Sequence, residues 1–161
     1  MPNEVCVGDA DCPIERAVEQ IGGRWNILLL RDAMAGTTRF DDFNKALGIA
    51  PNMLTRRLVH LVNIGLLERH RYCERPPRDE YRLTTRGRDF APVLLALFVW
   101  GAEHFGPQPP RIELVDRRSG DVAQPVLVDQ LTGDPIARDS YHFVARSKAN
   151  AATIKRLARQ R

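Results

Sequence analysis

Polar side chains that can form paired hydrogen bonds recur at helical spacing in the segment 50–63. At about 100° per residue, one face of this segment is apolar, and the opposite face carries Asn52, Arg56 and Asn63. Asn and Arg form bidentate contacts with adenine and guanine edges in the DNA major groove. The segment therefore predicts a helix that reads base edges, although a solvated helix face also explains each residue taken singly. The apolar residues are Leu54, Leu58 and Leu61.

Other predicted DNA contacts flank this helix. Thr38 and Arg39 precede a third predicted helix and suit phosphate oxygens, as do backbone N–H groups at the start of the fourth. Arg75 and Arg78 lie near a hairpin tip, where they reach a minor groove or the backbone. The predicted contact residues are Thr38, Arg39, Ala50, Pro51, Asn52, Met53, Thr55, Arg56, Arg57, His60, Arg75 and Arg78.

The charge distribution agrees with a polyanionic partner. Residues 37–88 contain 11 Lys or Arg and 6 Asp or Glu, whereas 1–36 and 89–106 together contain 3 and 8. A basic block between acidic flanks favours nucleic acid, and a solvated arginine-rich surface is the alternative.

Composition narrows the class of protein. The chain has 161 residues, 43% hydrophobic and 27% charged, as expected of a globular protein with one main domain. It has no 18-residue apolar run, and its acidic N-terminus lacks the apolar core of a secretory signal, so we expect a cytoplasmic protein without a membrane partner.

Three cysteines and four scattered histidines predict neither a disulfide framework nor a metal site. No phosphate loop or catalytic triad pattern occurs, so we expect a protein that is not an enzyme and needs no cofactor.

Apolar periodicity and helix breakers predict the elements that position these side chains. Gly22, Gly36, Gly48 and Gly65 separate successive apolar patterns. Two strands, 66–72 and 80–84, flank a proline-rich link that we expect to remain unpaired because proline lacks an N–H. This order predicts an α+β fold, mainly helical, with a winged helix-turn-helix. The predicted helices are 12–21, 25–36, 39–47, 51–63 and 85–105.

The predicted helix 85–105 is apolar nearly all round and must therefore be buried. In so small a domain we expect one side to pack on the core and the other on a second subunit; a core helix within a monomer is the alternative.

Residues 1–11 are expected to form a flexible arm. Residues 107–161 are expected to form a small β-rich appendage, with strands at 112–115, 126–128 and 141–145 and a basic helical tail.

Residues 12–106 resemble the HxlR family of winged-helix regulators, relatives of the MarR group. The matching stretches are CPIE at 12–15, IGGRW at 21–25, RFDDF at 39–43, GIAPNMLTRRL at 48–58, GL at 65–66, RPP at 75–77, EYRLT at 80–84 with Gly87, and WG at 100–101. The resemblance implies a homodimeric transcription regulator, expected to be a repressor, that binds a pseudo-palindromic double-stranded DNA operator. The expected dimer interface comprises Ile14, Val18, Leu94, Leu97, Phe98, Trp100 and Phe105.

The resemblance also places Cys12 where several family members carry an oxidant-sensing cysteine. The positive end of a helix dipole stabilises a thiolate, whereas the acidic residues around Cys12 oppose it. Cys6 or Cys73 is a candidate resolving partner, and a packing role for Cys12 is the alternative. Some long family members carry a zinc-ribbon-like appendage, but the cysteine positions here hold Ser119, Asp129 and Thr132, so we expect no zinc.

A small-molecule-sensing regulator is the second functional hypothesis. The helical segments 14–21 and 92–105 would enclose an apolar pocket at the dimer interface, and Trp25, Phe98 and Trp100 suit a flat aromatic effector. Simple core packing also accounts for these residues.

Overall fold

A computed structural model of the chain describes residues 11–107, 111–137 and 139–158. These residues divide into two compact units. One is Gln20–Ile112, and the other comprises the described residues before and after it, which we call the extension unit. Most of the predicted N-terminal arm, including Cys6, lies outside the described residues.

The α+β fold predicted from the sequence is confirmed. Helices dominate, and a single antiparallel hairpin forms the sheet found in the described residues. The elements are α1 (Pro13–Ile21), α2 (Arg24–Met34), α3 (Phe40–Leu47), α4 (Pro51–Asn63), β1 (Leu67–Glu74), β2 (Pro77–Leu83), α5 (Thr85–Arg88), α6 (Ala91–Phe105) and α7 (Ala151–Leu157).

The core of Gln20–Ile112 forms where α2, α3 and α4 meet the start of β1. Its central side chains are completely or almost completely removed from solvent, and each contributes about 1.5–3 kcal/mol by burial. The three leucines predicted on the inner face of α4 are among them. The largest of these apolar residues are Leu29, Leu30, Phe43, Leu54, Leu58, Leu61 and Leu67.

Two glycines fix the ends of the helix-turn-helix. Gly48 follows α3 with φ +57°, and Asn44 donates from Nδ2 to the carbonyl of Ile49 at 2.6 Å, which closes the turn. After α4, Gly65 has φ +73°, and the N–H of Leu66 donates to the carbonyl of Leu61. These left-handed positions suit glycine because it has no Cβ.

The hairpin is longer than the sequence predicts. We expected residues 73–79 to remain unpaired, but Cys73 pairs with Arg78 and Glu74 with Pro77. The expectation was wrong because Pro76 lies in the turn and Pro77 is the first residue of β2, where a missing N–H is tolerated. A register irregularity between Arg71 and Cys73 interrupts the ladder.

The predicted helix 85–105 is divided into two helices. α5 ends at Arg88, and α6 begins at Ala91 with Pro92 in its first turn. Pro92 has no N–H to donate to the carbonyl of Arg88, and its ring would clash with that carbonyl in a continuous helix. The break therefore follows from one proline.

The extension unit contains two similar tight turns instead of the expected strands. Gly120 donates to the carbonyl of Asp116, and Gly133 donates to the carbonyl of Asp129. Each turn carries one isolated bridge, Val115 with Val122 and Val128 with Pro135. The strand predictions at 112–115 and 126–128 were wrong because the chain reverses after a single bridge. The prediction at 141–145 was also wrong, since these residues pair with no strand among the described residues. The predicted helical tail is confirmed in its described part by α7.

Candidate nucleic-acid interface

Helix α4 is fixed by its buried leucines, so its opposite side is presented to solvent. Asn52, Arg56 and Asn63 are exposed, at a spacing of four and seven residues that aligns them along the helix. Met53 and Val59 are 37% and 47% exposed beside this line. The arrangement leaves amide and guanidinium groups free to meet base edges.

The N-terminus of α4 offers a second kind of contact. Pro51 is the first helical residue, and the N–H groups of Asn52 and Met53 precede the first intrahelical bond, from Leu54 to the carbonyl of Ala50. Thr55 donates from its hydroxyl to the carbonyl of Pro51 at 3.0 Å. Free backbone N–H groups at the positive end of a helix dipole suit a phosphate.

Two predicted contact residues instead face the protein. His60 is half-buried, with Nε2 2.7 Å from the backbone oxygen of Gln20. Arg57 is half-buried, and its Nε is buried without a hydrogen-bond partner among the described residues. A Cβ at Gly23 would lie 3.8 Å from Nη2 of Arg57, so this guanidinium covers the junction between α1 and α2.

Thr38 and Arg39 connect α3 to the hairpin. Tyr81 donates its N–H to the carbonyl of Thr38 at 2.7 Å, and the Thr38 hydroxyl donates to a carboxylate oxygen of Glu80 at 3.3 Å. The exposed Arg39 guanidinium lies 4.8 Å from the ring centroid of Tyr72. Thr38 is thus held within the fold, whereas Arg39 keeps an exposed charge above an aromatic ring.

Ion pairs secure the hairpin below its tip. Arg69 and Arg71 both contact the Asp79 carboxylate. The hydrogen bond from Arg69 is the main cause that lowers the pKa of Asp79 below its usual value, and the bond from Arg71 adds to it. Arg75 and Arg78, at the tip, are exposed and join no ion pair with another described residue. The structure therefore places two available cations at the tip of the wing.

The residues predicted for a dimer interface lie on α1 and α6. Of the fifteen residues of α6, all within the described chain, none is buried. Trp100 and Phe105 are 55% and 74% exposed, and Ile14 on α1 is 65% exposed. Leu97 and Val18 are exposed as well, whereas Leu94 and Phe98 are half-buried and Leu94 packs against the core. Each helix thus keeps large apolar side chains exposed to solvent among the described residues.

Cys12 precedes α1, and its carbonyl accepts the first helical hydrogen bond, from the N–H of Arg16. Its thiol is free and half-buried, as is that of Cys73 on the hairpin.

Within the described ranges, no group of three His, Cys, Asp or Glu side chains is arranged to hold a metal ion. Nor does any helix in those ranges have the length and apolarity required to cross a membrane.

Residues 20–109 match the sequence profile of the HxlR-like helix-turn-helix family. The chain belongs to this family. An uncharacterized HTH-type transcriptional regulator of Mycobacterium tuberculosis is 40% identical over 124 residues, covering 76% of this chain and 78% of the relative. The crystal structure of PA1607, named as a transcription factor, has a TM-score of 0.75 at 36% identity and covers 85% of this chain and 96% of PA1607.

The reduced form of the redox regulator HypR is a further structural neighbour. It has a TM-score of 0.55 at 34% identity, and the match covers 57% of this chain and 92% of HypR. Family membership and the named relatives establish a transcriptional regulator with a helix-turn-helix DNA-binding domain. The contacts of Arg57, His60 and Tyr72 could not be predicted from the sequence, because they join residues from different elements and leave no local pattern.

Proposed function

We propose that this HxlR-like protein is a cytoplasmic homodimeric repressor that binds a pseudo-palindromic DNA operator through α4. The observation that carries the proposal is the exposed line of Asn52, Arg56 and Asn63 opposite the buried leucines of α4. In a major groove, Arg56 and Asn52 would meet base edges, because they lie in the first half of the helix.

Phosphate contacts would set the position of α4 in the groove. Arg39 and the first turn of α4 offer a guanidinium and free N–H groups, and Arg75 and Arg78 at the wing tip would meet the flanking backbone or minor groove. We assign Arg57 and His60 to holding α4 in place, since His60 contacts the backbone oxygen of Gln20 and Arg57 lies half-buried beside Gly23.

The direct test is selection of genomic DNA fragments by the purified full chain, followed by footprinting. We expect two protected half-sites related by a two-fold axis and separated by about one helical turn, 10–10.5 base pairs, or a multiple of it. Placing the recovered site over a promoter should lower transcription when the protein is added. Recovery of random fragments would refute specific binding, and increased transcription would refute the repressor assignment.

Dimerisation is supported by the exposed apolar faces of α1 and α6. Trp100→Glu would place a charge in the proposed interface, and we expect it to shift the protein from dimer to monomer in analytical ultracentrifugation. Leu131→Glu is the matched control, because Leu131 is also exposed and apolar but lies in the extension unit. A monomeric wild-type chain, or a Trp100→Glu variant that remains dimeric, contradicts the proposal.

We further propose that oxidation of Cys12 changes DNA binding. Support comes from the half-buried thiol at the start of α1 and from the similarity to HypR, a redox regulator. We expect Cys12→Ser to bind the operator normally and to lose its response to peroxide or hypochlorite. Cys73→Ser, at the other half-buried free thiol, tests separately whether Cys73 is the resolving partner of Cys12. An unchanged oxidant response in Cys12→Ser would assign sensing to another residue.

An apolar recess between α2 and α6 supports the second candidate, a regulator that binds an apolar or aromatic effector near the dimer interface. The recess has a volume of about 520 Å³ and is lined by Met34, Leu94, Leu95 and Phe98 among others. It differs from the pocket expected from the sequence, because α1, Trp25 and Trp100 do not line it. An effector bound there must shift thermal stability and DNA affinity together by linkage. A ligand that changes the stability without changing the DNA affinity would argue against this candidate.

A further inference from the structure

A separate cavity lies within the extension unit, of which α4 is not a part. Its volume is about 480 Å³, and the start of α1 and the segment 143–157 form its wall. This volume is in the range of small-molecule sites, about 300–1,000 Å³. None of its lining residues belongs to the DNA contacts proposed above.

The wall of the cavity is mainly apolar and has a cationic part. Apolar atoms come from Ile14, Phe143, Val144 and Leu157. The charged lining residues are Asp11, Arg146, Lys148 and Arg156, which gives the wall more positive than negative charge. An apolar chamber with a few charged groups suits a ligand that has an apolar body and one charged group.

A hydrogen bond joins the start of α1 to the other chain segment that forms the wall. The Asn150 N–H donates to Oδ2 of Asp11 at 2.6 Å, and the Asn150 side chain caps α7 by accepting from the N–H of Thr153 at 2.8 Å. The Asp11 carboxylate is therefore already engaged by the protein. Arg146 and Lys148, both exposed, keep their charges at the rim.

We propose that this cavity binds a small organic anion, a carboxylate or sulfonate with an apolar body. The body would contact Phe143 and Val144, which would otherwise remain 69% and 63% exposed to water. The anionic group would pair with Arg146 and Lys148. Because Cys12 also lines the cavity, a bound anion would cover its thiol.

The probes are 8-anilinonaphthalene-1-sulfonate and its neutral counterpart N-phenyl-1-naphthylamine, which has the same apolar body without the sulfonate. Both are titrated by fluorescence into the reduced full chain. We expect the anion to bind more tightly.

In parallel, alkylation of each cysteine by iodoacetamide is followed by peptide mass spectrometry. At ten times the Kd, we expect the anion to slow alkylation of Cys12 about tenfold and to leave Cys73 unchanged. Equal affinity for the two probes, or a Cys12 that is not protected, overturns the proposal.

Two sets of variants locate the site. Arg146→Glu with Lys148→Glu should raise the Kd of the sulfonate about tenfold and leave the Kd of the neutral probe unchanged. Arg117→Glu with Lys155→Glu makes the same change of charge at exposed positions outside the wall and should change neither Kd. A similar loss in both pairs, or none in the first, overturns the assignment.

A cavity-filling variant tests the apolar part without altering charge. Ala145 is exposed on the wall, so Ala145→Trp is expected to preserve folding while occupying the chamber. Thermal unfolding and circular dichroism check the fold of each variant. Weaker binding of both probes to a folded Ala145→Trp supports the site, and unchanged binding places the probes elsewhere and overturns it.

Discussion

Replacing Arg56 with alanine tests the assignment of the DNA-reading face most directly. Arg56 is exposed on α4, and its neighbours Leu54 and Leu58 are fully buried, so the substitution should leave the fold intact. Loss of one bidentate base contact costs about 1–3 kcal/mol, which corresponds to an affinity loss of roughly five- to 150-fold. Fluorescence anisotropy with the recovered operator, at fixed salt, measures this loss.

The pattern of losses on altered operators separates base reading from simple charge. We expect Arg56→Ala to lose discrimination at one base pair of each half-site, so that wild-type and substituted operators bind it similarly. Arg39→Ala should weaken all operators by a similar factor and reduce the salt slope by about one, as expected for a phosphate contact. Arg117→Ala, at an exposed arginine in the extension unit, is the control for charge alone.

An Arg56→Ala variant with wild-type affinity and selectivity would refute the reasoning, because a single exposed guanidinium could not then be at a base edge. A uniform loss across operators would also refute base reading and would make Arg56 a backbone contact. Thermal unfolding of the variant, expected to match the wild type, ensures that an affinity change is not a folding defect.

The remaining predictions concern stability. A Cβ at Gly87 would lie 2.1 Å from the carbonyl oxygen of Leu66, so Gly87→Ala should lower the free energy of unfolding by about 1–3 kcal/mol in urea titrations. Gly101→Ala should not, because a Cβ there would meet no described atom within 4 Å beyond its own stretch of helix. Because Arg69 lowers the pKa of Asp79, the stability gained from ionised Asp79 is present above the ordinary carboxyl pKa and is lost as pH falls through the lower folded value. Urea titrations of wild type and Asp79→Asn should therefore differ near neutral pH and converge in acid; a difference that persists at low pH would contradict this.

The sequence predicted the helix-turn-helix well because its pattern is local. Leucines at positions 54, 58 and 61 mark one face by spacing alone, and all three are completely buried. Glycines in the sequence predicted where α3 and α4 end. These predictions were accurate because Gly48 and Gly65 adopt left-handed conformations that end a helix. For this segment, local spacing and tertiary packing specify the same arrangement.

The errors occurred where proline position or long-range pairing decided the outcome. Pro92 divides the predicted helix 85–105, although its apolar composition alone favours one continuous helix. Pro76 and Pro77 permit a longer hairpin because they fall at the turn and at a strand start. In the extension, apolar runs predicted strands, but a strand also requires a partner, and partner choice is not encoded within three or four residues.

The cavity could not be predicted from the sequence, because it also depends on contacts between distant segments of the chain. Its wall joins residues 11–14 to residues 143–157, and the Asp11–Asn150 hydrogen bond spans 139 positions along the chain. Neither segment contains a motif that indicates a binding site. Only their juxtaposition creates an apolar chamber beside basic residues.

The polar side of α4 has two parts. Arg57 and His60 face the rest of the protein, whereas Asn52 and Arg56 are exposed to solvent. Arg57 and His60 lie toward the α1–α2 junction and, with the buried leucines, limit rotation of α4 about its axis. In the proposed complex, Asn52 and Arg56 would already occupy a defined direction before DNA arrives, so less conformational entropy would be lost on binding. Loss of the His60 contact would therefore weaken binding to all operator sequences through a less ordered helix, whereas loss of Arg56 would alter the preference among them. This difference separates a residue that positions the reading helix from one that reads the sequence.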